Sequence, residues 1–420
     1  IDEAKGSYLR DTHGRRYLDG VSSLWVNVHG HRKKEIDAAV KRQLNKLAHS
    51  TLLGLGNVPS IELAGQLIKI APQGLAKVFY SDSGSTAVEI AIKIAYQYWQ
   101  YRDKAKTKFI HLENAYHGDT IGSVSVGGMD LFHKAYRGLL FESYQADSPY
   151  CYRCPKGKSY PLCNFECLDK LKSILKQNSC SIAGLIVEPL VQGAAGMLVW
   201  PPGIYKEMSR LCKEHNVLLI ADEVAVGFGR TGKMFASEWE GVSPDIFCLA
   251  KGITGGYLPL AATMTTQKIF DAFLGEYKEQ KTFFHGHTYT GNPLACSAAL
   301  ANLELFRKEK TLEKLKPKIK FLKEELKKFK ILGQVGDIRQ KGFMVGIELV
   351  KDKAAKEPFA WEERIGIKVC QKARECGAIL RPLGNVIVLM PPLSISKEEL
   401  KQLVDAAYKA VKAVYDAYPG

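Results

Sequence analysis

Residues Val217–Lys251, VLLIADEVAVGFGRTGKMFASEWEGVSPDIFCLAK, hold two short aliphatic runs, Val217–Ala221 and Ile246–Ala250. Each ends in a charge, Asp222 after the first and Lys251 after the second. Short apolar runs closed by charges read as buried strands of a parallel sheet. Ligands on such sheets gather at the carboxyl ends of the strands. The stretch therefore predicts one acid and one amine at the same sheet edge. Pyridoxal phosphate needs that pair. The amine bonds the aldehyde carbon, and the acid keeps the ring nitrogen protonated so that the ring can take up electrons. Taken singly, neither residue carries this chemistry, because a lysine after a strand is usually solvated and an aspartate there is usually a cap or turn residue.

The loop between the runs holds two glycine patterns. Gly227-Phe228-Gly229-Arg230-Thr231-Gly232 fits G-x-G-x-x-G, and Gly227 to Lys233 fits a P-loop up to its last position, where Met234 replaces Ser or Thr. Both contexts are wrong. A dinucleotide turn follows its strand directly, whereas Asp222 to Val226 intervene here, and Met234 has no hydroxyl for magnesium.

Upstream, Leu185–Val187 reads as a strand ending in Glu188-Pro189, with Pro202–His215 as the helix that leads to Val217. Lys77–Ser81 is a strand that runs into Asp82-Ser83-Gly84-Ser85-Thr86 and then a helix at Ala87–Trp99. That turn places free N–H groups and a positive dipole end where a phosphate would sit, or it is an ordinary capped helix. Lys108–Glu113 is a strand followed by Tyr116-His117-Gly118. Tyr116 can cover a flat ring or pack in a loop. His117 reads as a structural hydrogen-bonding residue ahead of an acid or base. At the N-terminus, residues 6–20 read as a hairpin, and helices follow at Glu35–Ala48 and Ser60–Ile70. The loop His285–Pro293 precedes a helix over Leu294–Phe306. Beyond it the pattern turns α+β: strands near Ile338 and at Phe343–Val350, Ala378–Arg381 and Val386–Met390, with helices at Trp361–Glu375 and Lys397–Tyr415.

With 420 residues the chain is long enough for a large core and two domains. No run is long enough for a membrane helix, and no signal peptide is expected. The first residue is Ile1, which leads to the expectation that an N-terminal segment is missing. Much of the net charge of +15 lies in Arg307–Lys330, where leucines at helical spacing make the lysines a solvated face. No interleaved aromatics or known module supports a nucleic-acid role, and no membrane role is expected. Ten cysteines without a secretion signal fit reduced thiols in a cytoplasm. Four of them, Cys151, Cys154, Cys163 and Cys167, form C-x2-C then C-x3-C, which resembles a zinc knuckle. The spacer is short and holds no histidine, so free thiols in a surface insertion are the competing reading, and no metal ligand is assigned.

Five motifs in order resemble the class III (ω-amino) pyridoxal-phosphate aminotransferases: Ser83-Gly84-Ser85, Tyr116-His117-Gly118, Asp222-Glu223 with Gly227–Gly232, Asp245 to Lys251, and Gly291-Asn292-Pro293-Leu294. The resemblance implies an α/β chain of fold type I. Its large domain, 51–310, has a mostly parallel sheet flanked by helices and carries the insertion 151–167. An N-terminal segment, 1–50, packs with a smaller α+β domain, 311–420. It also implies a homodimer with shared active sites. Lys251 would hold the cofactor and move the proton, and Asp222 would pair with the ring nitrogen. Gly84 and Ser85 would bind phosphate, Tyr116 would cover the ring and border substrate, and Thr288 with Gly286 and His287 would reach the phosphate across the dimer interface.

Within the family, Ser22–Gly30 (SSLWVNVHG), Ala225, and Arg381–Asn385 with Leu389–Pro392 are similar to the branch that serves biotin synthesis. Val226 departs from that branch's usual threonine. The branch implies amino transfer to 8-amino-7-oxononanoate, giving 7,8-diaminononanoate, from S-adenosylmethionine or lysine. Trp25 would shape the substrate channel, and Arg381 would bind the substrate carboxylate through its planar fork. Two rivals remain. One is another class III aminotransferase or aminomutase, acting on ornithine, 4-aminobutyrate or glutamate semialdehyde. The other is a metal-binding interaction protein built on the cysteine cluster.

Overall fold

A computed structural model describes residues 1–417. Its centre is a seven-stranded sheet in the spatial order Leu75–Ser81, Ala261–Thr266, Ile246–Leu249, Leu218–Asp222, Ile182–Val187, Lys108–Leu112 and Tyr144–Ala146. Ala261–Thr266 runs antiparallel to both neighbours, and the other pairings are parallel. The aliphatic runs are buried on both faces. Leu219, Ala221, Phe247 and Leu249 pack with the helix Ile204–Glu214 through Tyr205, Met208 and Leu211. Leu218, Ile220, Ile246 and Cys248 pack instead with the helix Gly84–Gln100 through Ala87, Ile90, Ala91 and Ile94. Each fully buried Ile or Leu there contributes roughly 2 kcal/mol. The strand Ala261–Thr266 has no counterpart in the sequence reading. Its residues, AATMTT, are small and hydroxylated, and they pass unnoticed beside the aliphatic runs. Thr263 is nonetheless fully buried, and its hydroxyl donates to the Ala87 carbonyl at 2.8 Å.

A second sheet, antiparallel throughout, has the order Val335–Lys341, Met344–Asp352, Val386–Leu389 and Arg381–Leu383. The helices Ile365–Glu375 and Lys397–Asp416 contact each other, and the first of them also packs on the Arg381–Leu383 and Val386–Leu389 strands. The single strand expected at Ala378–Arg381 is two. Ala378–Ile379 pairs in parallel with Leu18–Asp19, extending the N-terminal sheet of Glu3–Lys5, Tyr8–Arg10 and Arg16–Asp19. Arg381–Leu383 turns to the second sheet instead. Leu380, between them, is buried, so the chain changes sheets around an apolar anchor.

The glycine-rich loop after Asp222 packs against later parts of the chain. Gly229 has φ +88°, and a Cβ there would fall 2.5 Å from Leu393 Cδ1. Arg230 beside it is buried. Its guanidinium donates to Ser22 Oγ at 3.2 Å, the Pro391 carbonyl at 2.9 Å and the Asn27 carbonyl at 2.7 Å. One side chain thus ties the N-terminal segment, the large sheet and the C-terminal region together. Burial without a carboxylate in contact pulls its pKa down to about 9.

Candidate active site

Parallel register sets the geometry. Asp222 is the Cα partner of Cys248, and Ala221 that of Val187, so Glu188, Asp222 and Lys251 leave adjacent strands at one edge. They line one cleft of about 420 Å³ together with Trp25, Gly84, Ser85, Tyr116 and His117. The acid and the amine are therefore brought together, as the sequence requires.

Lys251 sits at φ +46°, a left-handed conformation that costs a non-glycine residue roughly 1–2 kcal/mol. Its amine lies 5.0 Å from the centre of the Trp25 ring. Burial lowers its pKa, against the pull of Asp222 and Glu188. A desolvated lysine of this kind has more of the free amine needed for attack on a carbonyl.

Asp222 is buried, and both its oxygens are held. Oδ2 is 2.7 Å from His117 Nδ1, and Oδ1 accepts the Val224 N–H at 3.0 Å. His117 therefore has the structural hydrogen bond expected of it, and its partner is the acid itself. Each carboxylate oxygen keeps a further lone pair for an incoming N–H donor. Glu223, next in sequence, points elsewhere. It accepts from the Ala236 and Ser237 N–H groups at 2.6 and 2.7 Å, and burial pushes its pKa up to about 7.

The turn at Ser83 is a capped helix that also opens on the cleft. Ser83 Oγ accepts the Thr86 N–H at 3.3 Å and starts the 17-residue helix Gly84–Gln100. Gly118 approaches this turn at φ +119°, and a Cβ there would stand 2.0 Å from Ser85 Oγ. A Cβ on Gly84 would stand 2.6 Å from Val224 Cγ1. These close approaches make a backbone-lined cradle that side chains would fill, at the positive end of a helix dipole.

Tyr116 is fixed at two points. Its N–H donates to Glu188 Oε1 at 3.3 Å, and its hydroxyl donates to Asp119 Oδ2 at 2.7 Å. Burial, then Asp119, raises its pKa. Glu188 is buried and is held near pKa 7 by desolvation, with Asp222 adding to the rise. The sequence reading assigned no role to Asp119 or Glu188. Glu188 ends its strand as Asp222 ends the next, and that repeat was the available signal.

Trp25 is held by an unusual backbone. Ser22, Ser23 and Trp25 have φ of +51°, +62° and +66°. Asp19 accepts the Ser23 N–H at 2.8 Å, and Ser22 Oγ donates to the Met390 carbonyl at 2.7 Å. The indole N–H is buried without a protein partner among the described residues.

Four expected residues lie outside the cleft lining. Arg381 is exposed, although its charge acts on both Lys251 and Tyr116. His287 Nδ1 is 2.7 Å from Oδ2 of Asp82, which does line the cleft. Gly286 and Thr288 are exposed, and the Thr288 carbonyl is 2.8 Å from His49 Nε2. In the insertion, Cys151 is exposed, Cys154 half-buried, and Cys163 and Cys167 buried, all as free thiols. Among the described residues, no three His, Cys, Asp or Glu side chains are grouped to hold a metal ion. The insertion is fastened by Arg153 to Glu348 at 2.8 Å and by Lys356 Nζ to the Tyr152 carbonyl at 2.7 Å.

The family model for class III aminotransferases matches residues 1–411. This chain belongs to the class III aminotransferases. It is 57% identical over 416 residues to the adenosylmethionine-8-amino-7-oxononanoate aminotransferase of Geobacter sulfurreducens, covering 99% of this chain and 92% of that protein. The enzyme of the same name from Methanocaldococcus jannaschii is 52% identical, and 98% of this chain and 92% of that protein are covered. The crystal structure of the Methanocaldococcus enzyme superposes with a TM-score of 0.94 at 51% identity, covering 98% of this chain and 92% of that one. An amine transaminase from an uncultivated Pseudomonas species, in its PLP-bound form, gives a TM-score of 0.92 at 37% identity, covering 98% and 94%. The α/β, fold type I architecture expected from the sequence is the one found.

Proposed function

We propose that this class III aminotransferase binds pyridoxal 5'-phosphate in the cleft and converts 8-amino-7-oxononanoate to 7,8-diaminononanoate, a step of biotin synthesis, with adenosylmethionine as amino donor. The observation that carries the cofactor reading is the Asp222 carboxylate and the Lys251 amine in one cleft beside a glycine-lined helix N-terminus. The substrate and donor rest on the relatives named above, together with Trp25 and Ala225 in the cleft wall.

When bound, the cofactor supplies an electron sink that stabilises negative charge on the substrate carbon. The chain supplies the rest. Gly84, Ser85 and the helix N-terminus hold the phosphate. Asp222 would accept the ring N–H and keep it protonated, and His117 and the Val224 N–H orient the carboxylate for that. Lys251 Nζ would hold the cofactor at its aldehyde carbon and, when free, would take a proton from the substrate carbon and give it back. Its lowered pKa favours the neutral base for that transfer. Tyr116, pinned through Glu188 and Asp119, covers the ring and borders the substrate. Trp25 excludes water beside the lysine, and Arg381 supplies the guanidinium for the substrate carboxylate.

The chain acts as a homodimer in the cytoplasm on this reading. Large apolar side chains stand exposed around the His285–Pro293 loop, with Leu53 89%, Phe284 75% and Tyr289 63% accessible, and a second copy covers them. Gly286, His287 and Thr288 then reach the phosphate of the partner's cofactor. Among the described residues, no helix is long and apolar enough to cross a membrane.

A panel of keto acceptors tests the substrate. Amino transfer from adenosylmethionine to 8-amino-7-oxononanoate should exceed that to glutamate semialdehyde or succinate semialdehyde at least a hundredfold. Equal rates with the semialdehydes would overturn the assignment. Lysine in place of adenosylmethionine tests the donor.

A further inference from the structure

Away from the cleft, a groove of about 680 Å³ opens between the helix Thr311–Glu325 and the segment that follows Arg230. By their spacing the lysines of this helix belong on a solvated face. Part of that face is concave. Lys316, Lys320, Lys323, Lys327 and Lys330 follow one another at three- and four-residue spacing along one wall. Lys233 and Lys341 stand opposite, beside the partly exposed Trp239. Their amines lie 5.0 and 3.8 Å from the centre of its ring. No carboxylate belongs to the lining.

We propose that this groove binds a polyphosphate chain, supplied as inorganic tripolyphosphate or as the tail of a nucleoside triphosphate. This inference is independent of the substrate assignment. The seven lysines have few counter-charges. Of the five on the helix side, Lys327 alone has an ion pair among the described residues, with Glu324. The charge of Glu240 acts on Lys341, but its carboxylate oxygens accept the Gly203 and Lys206 N–H groups at 2.8 and 2.7 Å. Burial lowers the pKa of Lys341; Glu240 opposes the fall and the neighbouring Lys233 adds to it, and no carboxylate contacts the amine among the described residues. Like charges crowded in a concavity focus a positive potential that an anion relieves.

The extent of the array selects the anion. From Lys316 to Lys330, through the helix and the tighter 3₁₀ turns of Leu326–Ile331 that follow it, the wall runs roughly 23 Å. A single phosphate spans only a fraction of it, whereas linked phosphates engage several amines at once. The partly exposed edge of the indole lies beside the amines, and a nucleobase packed there would separate the two sources. Gly232 and Lys233, the end of the P-loop-like pattern, lie in this groove, so that run of residues faces the candidate anion site even though it forms no P-loop.

The test is calorimetric titration of the holoenzyme at ~0.15 M salt, where surface attraction is largely screened. Tripolyphosphate should bind with a sub-millimolar Kd and at least tenfold tighter than inorganic phosphate. K320Q/K323Q/K341Q should weaken it at least tenfold while leaving amino transfer unchanged. The exposed pair K316Q/K327Q gives a second reading should the triple variant misfold, and it too should weaken binding. Tighter binding of ATP, lost in Trp239→Leu, assigns the nucleotide as source; equal binding assigns the inorganic chain. Equal affinity in wild type and both lysine variants would overturn the proposal, as would binding that vanishes at this salt or is confined to nucleic acid.

Discussion

Asp222→Asn separates the charge of the acid from its shape. The side chain is 5% exposed, and the variant keeps an oxygen for the Val224 N–H, now 3.0 Å away. The new amide can donate to His117 Nδ1, which faces Oδ2 at 2.7 Å. Folding and the phosphate cradle should therefore survive. What is lost is a full negative charge at hydrogen-bond distance from the ring nitrogen. At about 3 Å and an effective dielectric near 20, that charge is worth roughly 5.5 kcal/mol. The amide oxygen still accepts and returns about 1.5 kcal/mol. The difference, about 4 kcal/mol, corresponds to about a thousandfold in rate.

Two readouts are needed. Cofactor content, measured by absorbance, should stay near one per chain. The single-turnover rate of the donor half-reaction should fall about a thousandfold, because both half-reactions need the protonated ring. A rate within about tenfold of wild type, with cofactor retained, would mean that another group protonates the nitrogen and that the strand-end acid has been misread.

Three further perturbations bear on other parts of the site. Lys251→Ala should abolish the visible absorbance band of the lysine-linked cofactor, and a band that persists would assign the link to another lysine. Gly118→Ala forces a Cβ to 2.0 Å from Ser85 Oγ at φ +119°; overpacking and strain of roughly 2–4 kcal/mol should weaken cofactor affinity at least thirtyfold by titration, and an unchanged Kd would remove the phosphate from this turn. Glu188, raised from 4.5 to about 7 by burial, binds more protons folded than unfolded between those values, so its contribution to stability falls as pH rises from about 4.5 to 7 and then levels. Glu188→Gln should therefore gain on wild type between pH 5 and pH 8 in chemical denaturation of the cofactor-free protein, by about 2–3 kcal/mol; a pH-independent difference would show that Glu188 titrates normally.

The strand-end residues were legible because their placement is local. An aliphatic run buried on both faces fixes a strand, parallel pairing fixes the edge, and the charge that follows is at that edge. Asp222 and Lys251 need nothing more. Tyr116 and Gly84 follow the same logic. The missed features depend on contacts made across the fold. Ala261–Thr266 lies between two strands, and its buried threonine is satisfied by the Ala87 carbonyl, a partner no local pattern reveals. The break at Leu380 arises because two sheets compete for adjacent residues. Glu188 was read as a strand end before a proline; its burial beside Asp222 follows only from register.

This division bears on how substrate choice is encoded. The cofactor wall comes from strand ends and one helix start, elements that the fold itself positions. The opposite wall is built by docking. Trp25 sits on three left-handed residues, a conformation worth several kcal/mol of strain by the usual cost per residue. It persists because Asp19, Met390 and Arg230 fasten it from three parts of the chain. The amine transaminase at 37% identity keeps the fold at a TM-score of 0.92, almost that of the 51% identical aminotransferase from Methanocaldococcus at 0.94. Backbone likeness therefore does not distinguish their substrates. On the proposed function, the distinction lies in side chains such as Trp25, which tertiary contacts hold in the cleft wall.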